Sequence, residues 1–308
     1  MRFHQAVAFL ETDQLLELCA AIDHLPFGGV YVSEHLFYPR DLRSPYPYSP
    51  YEDGSPIWSP ESDWPDPWCL ISAMAAVTTN QVFTTGVYVA PARDLITVAK
   101  LVSTAAVISQ GRVRLGVGAG WCKEEFDATG QEFSNRGARL DDMIPALRAL
   151  WQPGWVEYHG SHYDVPALQM NPVPPPIPIY GGGASKPALR RAATLCDGWL
   201  CSSQYTDEQV WHHLDLLKAE LARAGRSLDG FSVYMATVNT DLDFLRRLED
   251  AGVTDYITAP WMVATLMLVW PDQELATSTS SHHMYWAAAG APTTRTARAK
   301  ASRADDQP

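Results

Sequence analysis

The segment that decides the fold begins with VFTTGVYVA (82–90), continues as an amphipathic run from Asp94 to Ser109, and ends with RVRLGVGAG (112–120). Its two ends are short runs dominated by apolar and β-branched residues, which is typical of strands buried on both faces. A strand, a helix and a second strand in this order form a parallel βαβ unit. The segment therefore predicts a parallel sheet covered by helices.

The same alternation extends along most of the chain. Six further strand-type runs occupy residues 3–9, 28–35, 177–183, 197–203, 231–238 and 255–260. Eight such units favour a closed TIM (β/α)8 barrel over an open doubly wound sheet. A Rossmann-like sheet would carry a glycine fingerprint after its first strand, and residues 9–12 (FLET) have none.

Helix starts and chain regions can also be predicted. Ser185 is placed to cap one helix, Thr206 and Gln209 form a capping box, and Thr240 with Asp243 marks a third start. Two segments lie outside the barrel pattern, a proline-rich and aromatic insertion (36–66) and a predicted hairpin with a proline-rich return (152–176). We predict a barrel domain over 1–285 and a disordered tail over 286–308.

The composition limits the possible partners and surroundings. A net charge of −12 argues against sequence-independent binding of nucleic acid and against a polybasic membrane patch. No stretch approaches the length of a membrane span, and no signal peptide is apparent. Five cysteines without close spacing suit buried free thiols in a reducing compartment. We expect a cytoplasmic enzyme with a small-molecule substrate and no metal site.

Catalytic groups of such barrels lie at the carboxyl ends of the strands and on the loops that follow them. His35 ends the second strand, and a histidine can transfer protons at neutral pH. A structural histidine is the alternative. The glycines at 181–183 precede a helix whose first amides could bind a phosphate. The alternative there is a tight turn without a ligand.

The insertion (36–66) follows the second strand directly and should therefore cover the catalytic face. Its aromatic rings, including Tyr46 and Trp58, offer apolar contact area. We interpret the insertion as a wall or lid of a substrate pocket, and a packing loop is the alternative.

These motifs, in this order, resemble the bacterial luciferase-like monooxygenase family. The resemblance covers roughly residues 1–265 and is clearest over 86–151 (GVYVAPARD through RALW), over 175–200 (PPIPIYGGGASK through DGWL) and in VSEH (32–35). Within the family the chain looks most like the branch that uses the deazaflavin coenzyme F420, which is common in actinobacteria. FMN is the alternative cofactor.

The resemblance implies roles for particular residues. His35 matches a histidine that takes part in proton transfer beside C5 of the coenzyme. Gly86 and Val87 match a non-proline cis peptide that backs the ring. The other implied cofactor contacts are Gly118 and Gly120 at the ring edge, Gly182, Gly183 and Ala184 around the phosphate, and Ser202 or Ser203 nearby.

One departure from the family pattern concerns the substrate. Trp121 stands where related sugar-phosphate dehydrogenases have a catalytic glutamate, so the sequence favours an apolar substrate. It also predicts that His35 works without a partner glutamate. Trp121 would then join Tyr46 and Trp58 in the substrate pocket.

The sequence therefore predicts an F420-dependent oxidoreductase that transfers a hydride to or from an apolar substrate. The alternatives are an FMN-dependent monooxygenase supplied by a separate reductase, and a non-catalytic cofactor-binding barrel. Relatives are often dimers, so a homodimer is compatible with the resemblance.

Overall fold

Eight parallel strands close into a barrel in the computed structural model, which describes residues 1–202 and 205–259. The barrel strands are β1 (Arg2–Ala6), β2 (Gly29–Val32), β3 (Val82–Thr85), β4 (Val113–Val117), β7 (Ile179–Gly182), β8 (Gly198–Leu200), β9 (Ser232–Met235) and β10 (Asp255–Thr258). Each of these eight strands pairs with the next barrel strand along the chain, so that β4 pairs with β7, and β10 pairs with β1. The predicted (β/α)8 barrel is confirmed.

Helices connect the strands and cover the outside of the barrel. They are α1 (Leu15–Ile22), α2 (Pro67–Ala76), α3 (Leu95–Ile108), α4 (Lys123–Thr129), α5 (Arg136–Leu150), α6 (Lys186–Leu195), α7 (Asp207–Arg223) and α8 (Leu242–Asp250). The cap at Ser185 and the capping box at Thr206 are confirmed. Helix α8, however, is capped by Asp241, whose carboxylate accepts the Asp243 amide at 2.9 Å. The predicted cap at Thr240 is wrong because the helix begins one residue later.

Side chains fill the barrel interior. A buried cluster of Ala6, Tyr31, Tyr180, Leu200 and Tyr234 occupies it, and the rings of Tyr180 and Tyr234 lie 5.4 Å apart. The barrel is therefore a packed core and not a pore, as is usual for this fold. Chemistry is left to its ends.

The predicted hairpin is confirmed as an antiparallel pair, β5 (Val156–His159) and β6 (Asp164–Leu168). Asp142 on α5 holds it, since its carboxylate accepts the Tyr158 hydroxyl at 2.6 Å and the Tyr163 amide at 3.0 Å.

The insertion (36–66) contains no helix or strand and ends at Asp66, which caps α2. None of the described helices is long and apolar enough to cross a membrane. The predicted domain boundary at residue 285 lies outside the described residues.

A buried carboxylate joins α1 to the chain that leads into β3. Asp23 accepts the amides of Thr79, Asn80 and Gln81 at 2.9, 2.8 and 3.1 Å. Burial alone would raise the pKa of Asp23, but these bonds outweigh it and lower the pKa. The ionised carboxylate therefore contributes stability above about pH 4, and that contribution is lost as the pH falls through the lowered pKa.

We expect Asp23→Asn to lower the free energy of unfolding by about 1–3 kcal/mol at neutral pH, because an amide NH2 replaces one acceptor oxygen. The variant should also lose less stability than the wild type between about pH 5 and pH 3. Urea unfolding at each pH measures both effects. The exposed Asp53→Asn is the matched control, and an equal loss there would contradict the assignment to Asp23.

Candidate active site

The carboxyl end of β2 is bonded to the loop that follows β3. The Ser33 hydroxyl donates to the Gly86 carbonyl at 3.0 Å. The Glu34 carboxylate accepts the Val89 amide at 2.6 Å and pairs with the Arg93 guanidinium at 2.5 Å. Burial raises the pKa of Glu34 to about 7, against the opposing effect of Arg93. Through its bonds to Val89 and Arg93, Glu34 fixes the loop that follows β3.

The loop contains the expected non-proline cis peptide, between Gly86 and Val87. A Cβ on Gly86 would lie 1.7 Å from the Tyr31 ring. The Val87 side chain packs against Gly118 and Gly182, where an added Cβ would lie 2.4 and 2.3 Å from its methyl carbons. These glycines allow the carboxyl ends of β3, β4 and β7 to meet.

Close packing also explains Gly120. Its φ is +82°, and a Cβ would lie 2.5 Å from Val89 and 2.9 Å from Phe126. Few residues other than glycine adopt such a φ, so the sequence at this turn is set by backbone geometry as well as by space. The ring-edge role of Gly118 and Gly120 stays a prediction.

The turn between β7 and α6 presents free backbone N–H groups. The Gly183 amide already donates to the Leu200 carbonyl at 3.3 Å, and Gly182 provides space for Val87. Within the described residues, no hydrogen bond is found for the amides of 184–186. Free amides at the start of a ten-residue helix form an anion site. The free amides thus lie at 184–186. Of the three residues predicted around the phosphate, Ala184 is the one with a free amide.

His35 is held by Glu125 of α4. Its Nδ1 lies 3.0 Å from the Glu125 carboxylate, and the same oxygen accepts the Leu36 amide at 2.8 Å. Glu125 is buried and His35 is largely buried, with 3% and 11% of their side chains exposed. In the neutral imidazole this bond places the proton on Nδ1 and leaves Nε2 as the acceptor. The prediction that His35 lacks a partner glutamate is wrong, because Glu125, four residues after Trp121, is bonded to it.

Aromatic rings surround His35. We call them the aromatic cluster, and its members are Phe9, Tyr46, Trp58, Trp64 and Trp121. Ring centroids of Trp58, Trp64 and Trp121 lie 4.7, 5.0 and 5.6 Å from the imidazole. Trp58 is central, since its ring also contacts Phe9, Tyr46, Trp64 and Trp121 at 4.9–6.3 Å. Of the three predicted pocket residues, Trp58 and Trp121 thus contact His35, and Tyr46 contacts both of these rings.

The insertion (36–66) is fixed on both sides of the barrel mouth. Glu124 of α4 accepts the amides of Arg43 and Ser44 at 2.7 and 3.1 Å. Burial would raise the pKa of Glu124, but bonds from Arg43 and Ser44 lower it to about 2. The Tyr48 hydroxyl interacts with Ser202 after β8. The insertion therefore lies over the carboxyl face, as predicted.

The two serines after β8, Ser202 and Ser203, were also predicted to contact the cofactor. The Ser202 hydroxyl lies 2.7 Å from the Tyr205 hydroxyl, which also accepts the Ser202 amide at 3.2 Å. Ser203 lies outside the described residues.

Sequence reasoning missed two members of the site. Glu125 follows Glu124 in the first turn of α4, and the sequence does not show which of the two faces inwards. Trp64 is one of several aromatic residues in the insertion, and no periodicity separates the inward rings from the others. The acidic pair after Trp121 was the available signal for Glu125.

Comparison with known proteins identifies the family. The sequence model described as luciferase-like monooxygenase matches residues 4–240. The chain belongs to the luciferase-like monooxygenase family. Membership places it among the oxidoreductases and confirms the resemblance drawn from the motifs.

Relatives of this family member have been found in both sequence and structure. An uncharacterized protein of Mycobacterium tuberculosis is 35% identical over 271 residues, which cover 83% of this chain and 88% of the relative. An F420-dependent glucose-6-phosphate dehydrogenase of Amycolatopsis mediterranei is 30% identical over 200 residues, which cover 58% of this chain and 60% of the relative. The structure of an F420-dependent secondary alcohol dehydrogenase with an F420-acetone adduct gives a TM-score of 0.65 at 15% identity, covering 83% of this chain and 92% of that one. The structural likeness confirms the fold.

We expect Gly182→Ala to lower the free energy of unfolding by about 1–3 kcal/mol, because the new methyl group overlaps Val87. Val87→Ala should restore much of this loss when it is combined with Gly182→Ala. Urea unfolding of both single variants and the double variant measures the coupling. Additive effects would show that the contact between Val87 and Gly182 is not what requires glycine.

The role of Glu125 in fixing the imidazole can be tested without a substrate. With nitrogen-15 histidine, NMR should show His35 protonated on Nδ1 at a pH where the ring is neutral. Glu125→Ala should leave a mixture of tautomers, and Glu125→Gln should preserve the Nδ1–H form because its amide oxygen still accepts. The same tautomer in Glu125→Ala would contradict the role.

Proposed function

We propose that the chain is an F420-dependent oxidoreductase that transfers a hydride between deazaflavin C5 and an apolar small molecule. The observation that carries the proposal is the position of His35, oriented by Glu125, beside the loop that contains Gly86 and Val87. Ser33 and Glu34 come directly before His35 and bond to that loop. The segment 33–35 thus carries the proposed proton-transfer group and also the two side chains that hold the proposed ring-backing loop.

The residues present fit a coenzyme with a planar ring and a phosphate. The free amides at 184–186 follow directly after β7, and Gly182 at the end of that strand packs against Val87. The loop at Gly86 and Val87 would support the ring, and the start of α6 would hold the phosphate. When bound, the reduced deazaflavin would supply a hydride, which carries two electrons. The identity with F420-dependent relatives supports this coenzyme over FMN.

His35 would exchange the proton that accompanies the hydride. Glu125 fixes the imidazole through Nδ1, so that Nε2 is left for the substrate. Glu125 is a positioning residue, since it acts through His35 and Leu36. General acid–base catalysis by a positioned side chain contributes about 10²–10⁴-fold to a rate.

The aromatic cluster supports an apolar substrate. Its rings enclose His35, and among the described residues no Lys or Arg side chain lies over any of them. A sugar phosphate would have to bury its charge among these rings and beside the Glu125 carboxylate, which is unfavourable. Trp121 and Trp58 instead offer apolar surface.

Coenzyme binding tests the proposal directly. Titration with oxidised F420 and with FMN should show F420 binding at least about tenfold more tightly, a difference of about 1.4 kcal/mol. His35→Ala should leave F420 affinity within about twofold and lower turnover of reduced F420 with cyclic ketones about 100-fold or more. Preference for FMN would favour the monooxygenase alternative. Binding of neither coenzyme, or full turnover in His35→Ala, would overturn the proposal.

A further inference from the structure

We infer that a cavity inside the insertion (36–66), lined by Arg40 and Arg43, binds a small divalent oxyanion, a dicarboxylate or a phosphate. None of the residues that line this cavity belongs to the aromatic cluster or to the predicted cofactor contacts. The inference therefore goes beyond the proposed function and does not depend on the coenzyme.

The size and polarity of the cavity limit what it can hold. Its volume is about 230 Å³, and two segments of the insertion, 38–45 and 53–55, form its walls. Polar atoms make up most of its surface. Pockets for organic ligands and cofactors usually measure about 300–1,000 Å³ and are mainly apolar. This smaller, polar cavity therefore fits a small polar molecule.

Hydrogen bonds hold the two walls in place. The Tyr46 amide donates to the Gly54 carbonyl at 2.8 Å and so joins one segment to the other. The amides of Arg43 and Ser44 donate to the Glu124 carboxylate at 2.7 and 3.1 Å, which fixes the first segment on α4. Walls that are fixed before binding reduce the entropy lost when a ligand binds.

The two arginines of the cavity are exposed and unpaired. Within the described residues, the guanidinium groups of Arg40 and Arg43 make no hydrogen bond, ion pair or ring contact. Apart from Arg190, the other arginines of this part of the chain donate to oxygen atoms or lie over aromatic rings. The chain has 35 acidic and 23 basic residues, so partners are abundant. Two unpaired arginines in one cavity are therefore available for a ligand.

The other charged groups near the cavity leave it positive. Asp53 is the one acidic residue that lines it, and its carboxylate accepts the Ser55 amide at 2.9 Å. Bonds from Ser55 lower the pKa of Asp53, so this carboxylate is ionised at neutral pH. Glu124 lies behind the wall, where its Oε1 atom already accepts two amides. Two positive charges against the one of Asp53 favour an anion.

Guanidinium geometry indicates which anion. Each guanidinium can donate two parallel N–H bonds to a carboxylate or a phosphate group. Two of them therefore match a molecule with two negative charges, whereas a monovalent anion would engage one. The Tyr38 hydroxyl lines the same cavity and offers a further donor. A bound anion would also join the two walls and stabilise the insertion by linkage.

Malonate and inorganic phosphate are the probes, and acetate is the monovalent comparison. Calorimetric titration of the full chain at constant ionic strength should show malonate, phosphate or both binding at least about tenfold more tightly than acetate. Arg40→Gln and Arg43→Gln should each weaken this binding by about three- to tenfold. Asp53→Asn should strengthen it by about two- to fivefold, because it removes a like charge. The stronger probe distinguishes a dicarboxylate ligand from a phosphate ligand.

A charge-matched control separates the cavity from general electrostatics. Arg223 and Arg246 pair with acidic residues outside the cavity, so the double variant Arg223→Gln, Arg246→Gln changes the net charge as much as Arg40→Gln, Arg43→Gln. Equal weakening in both double variants would show that the cavity is not the site. Phosphate binding that persists unchanged in Arg40→Gln, Arg43→Gln belongs to the free amides at 184–186 and contradicts the inference. If neither divalent probe binds more tightly than acetate, the inference is wrong.

Discussion

The buried carboxylate of Glu34 is the interaction on which the site depends. It accepts the Val89 amide and pairs with Arg93, and so determines the course of the chain after β3. That course places Val87 between two glycines of neighbouring strands. Removal of one partner from a buried ion pair leaves an uncompensated charge, which typically costs 3–5 kcal/mol. The loop after β3 is therefore fixed by electrostatics in addition to the isolated bridge between Tyr88 and Val117.

A second buried carboxylate, Glu125, lies close enough to affect the first. Its charge adds to the effects that raise the pKa of Glu34, after burial and against Arg93. The two carboxylates have different partners and therefore different roles. Glu34 is bonded to a guanidinium and an amide and acts on the backbone. Glu125 is bonded to the imidazole of His35 and acts on a side chain that can move a proton.

The aromatic cluster joins these carboxylates to the insertion (36–66). Phe9 follows β1, Trp121 follows β4, and the remaining rings come from the insertion (36–66). The Glu124 carboxylate and the Asp66 cap hold the insertion near its two ends. Three tryptophan rings and the Glu125 carboxylate contact His35 in the described part of the chain, so the imidazole lies in a largely apolar environment with one acidic partner.

The sequence by itself determined the barrel, its eight strands and the hairpin, and it placed His35 at the end of β2, whereas the strand ends at Val32 and His35 lies three residues beyond it. These features depend on local periodicity and on the order of elements, which a single chain displays directly. It also indicated that Tyr46, Trp58 and Trp121 belong together. Only the tertiary structure decided that Glu125 orients His35, that Trp64 faces it, and that the free amides lie at 184–186. These contacts join residues that are distant in the chain or indistinguishable from their neighbours, so no local pattern could specify them.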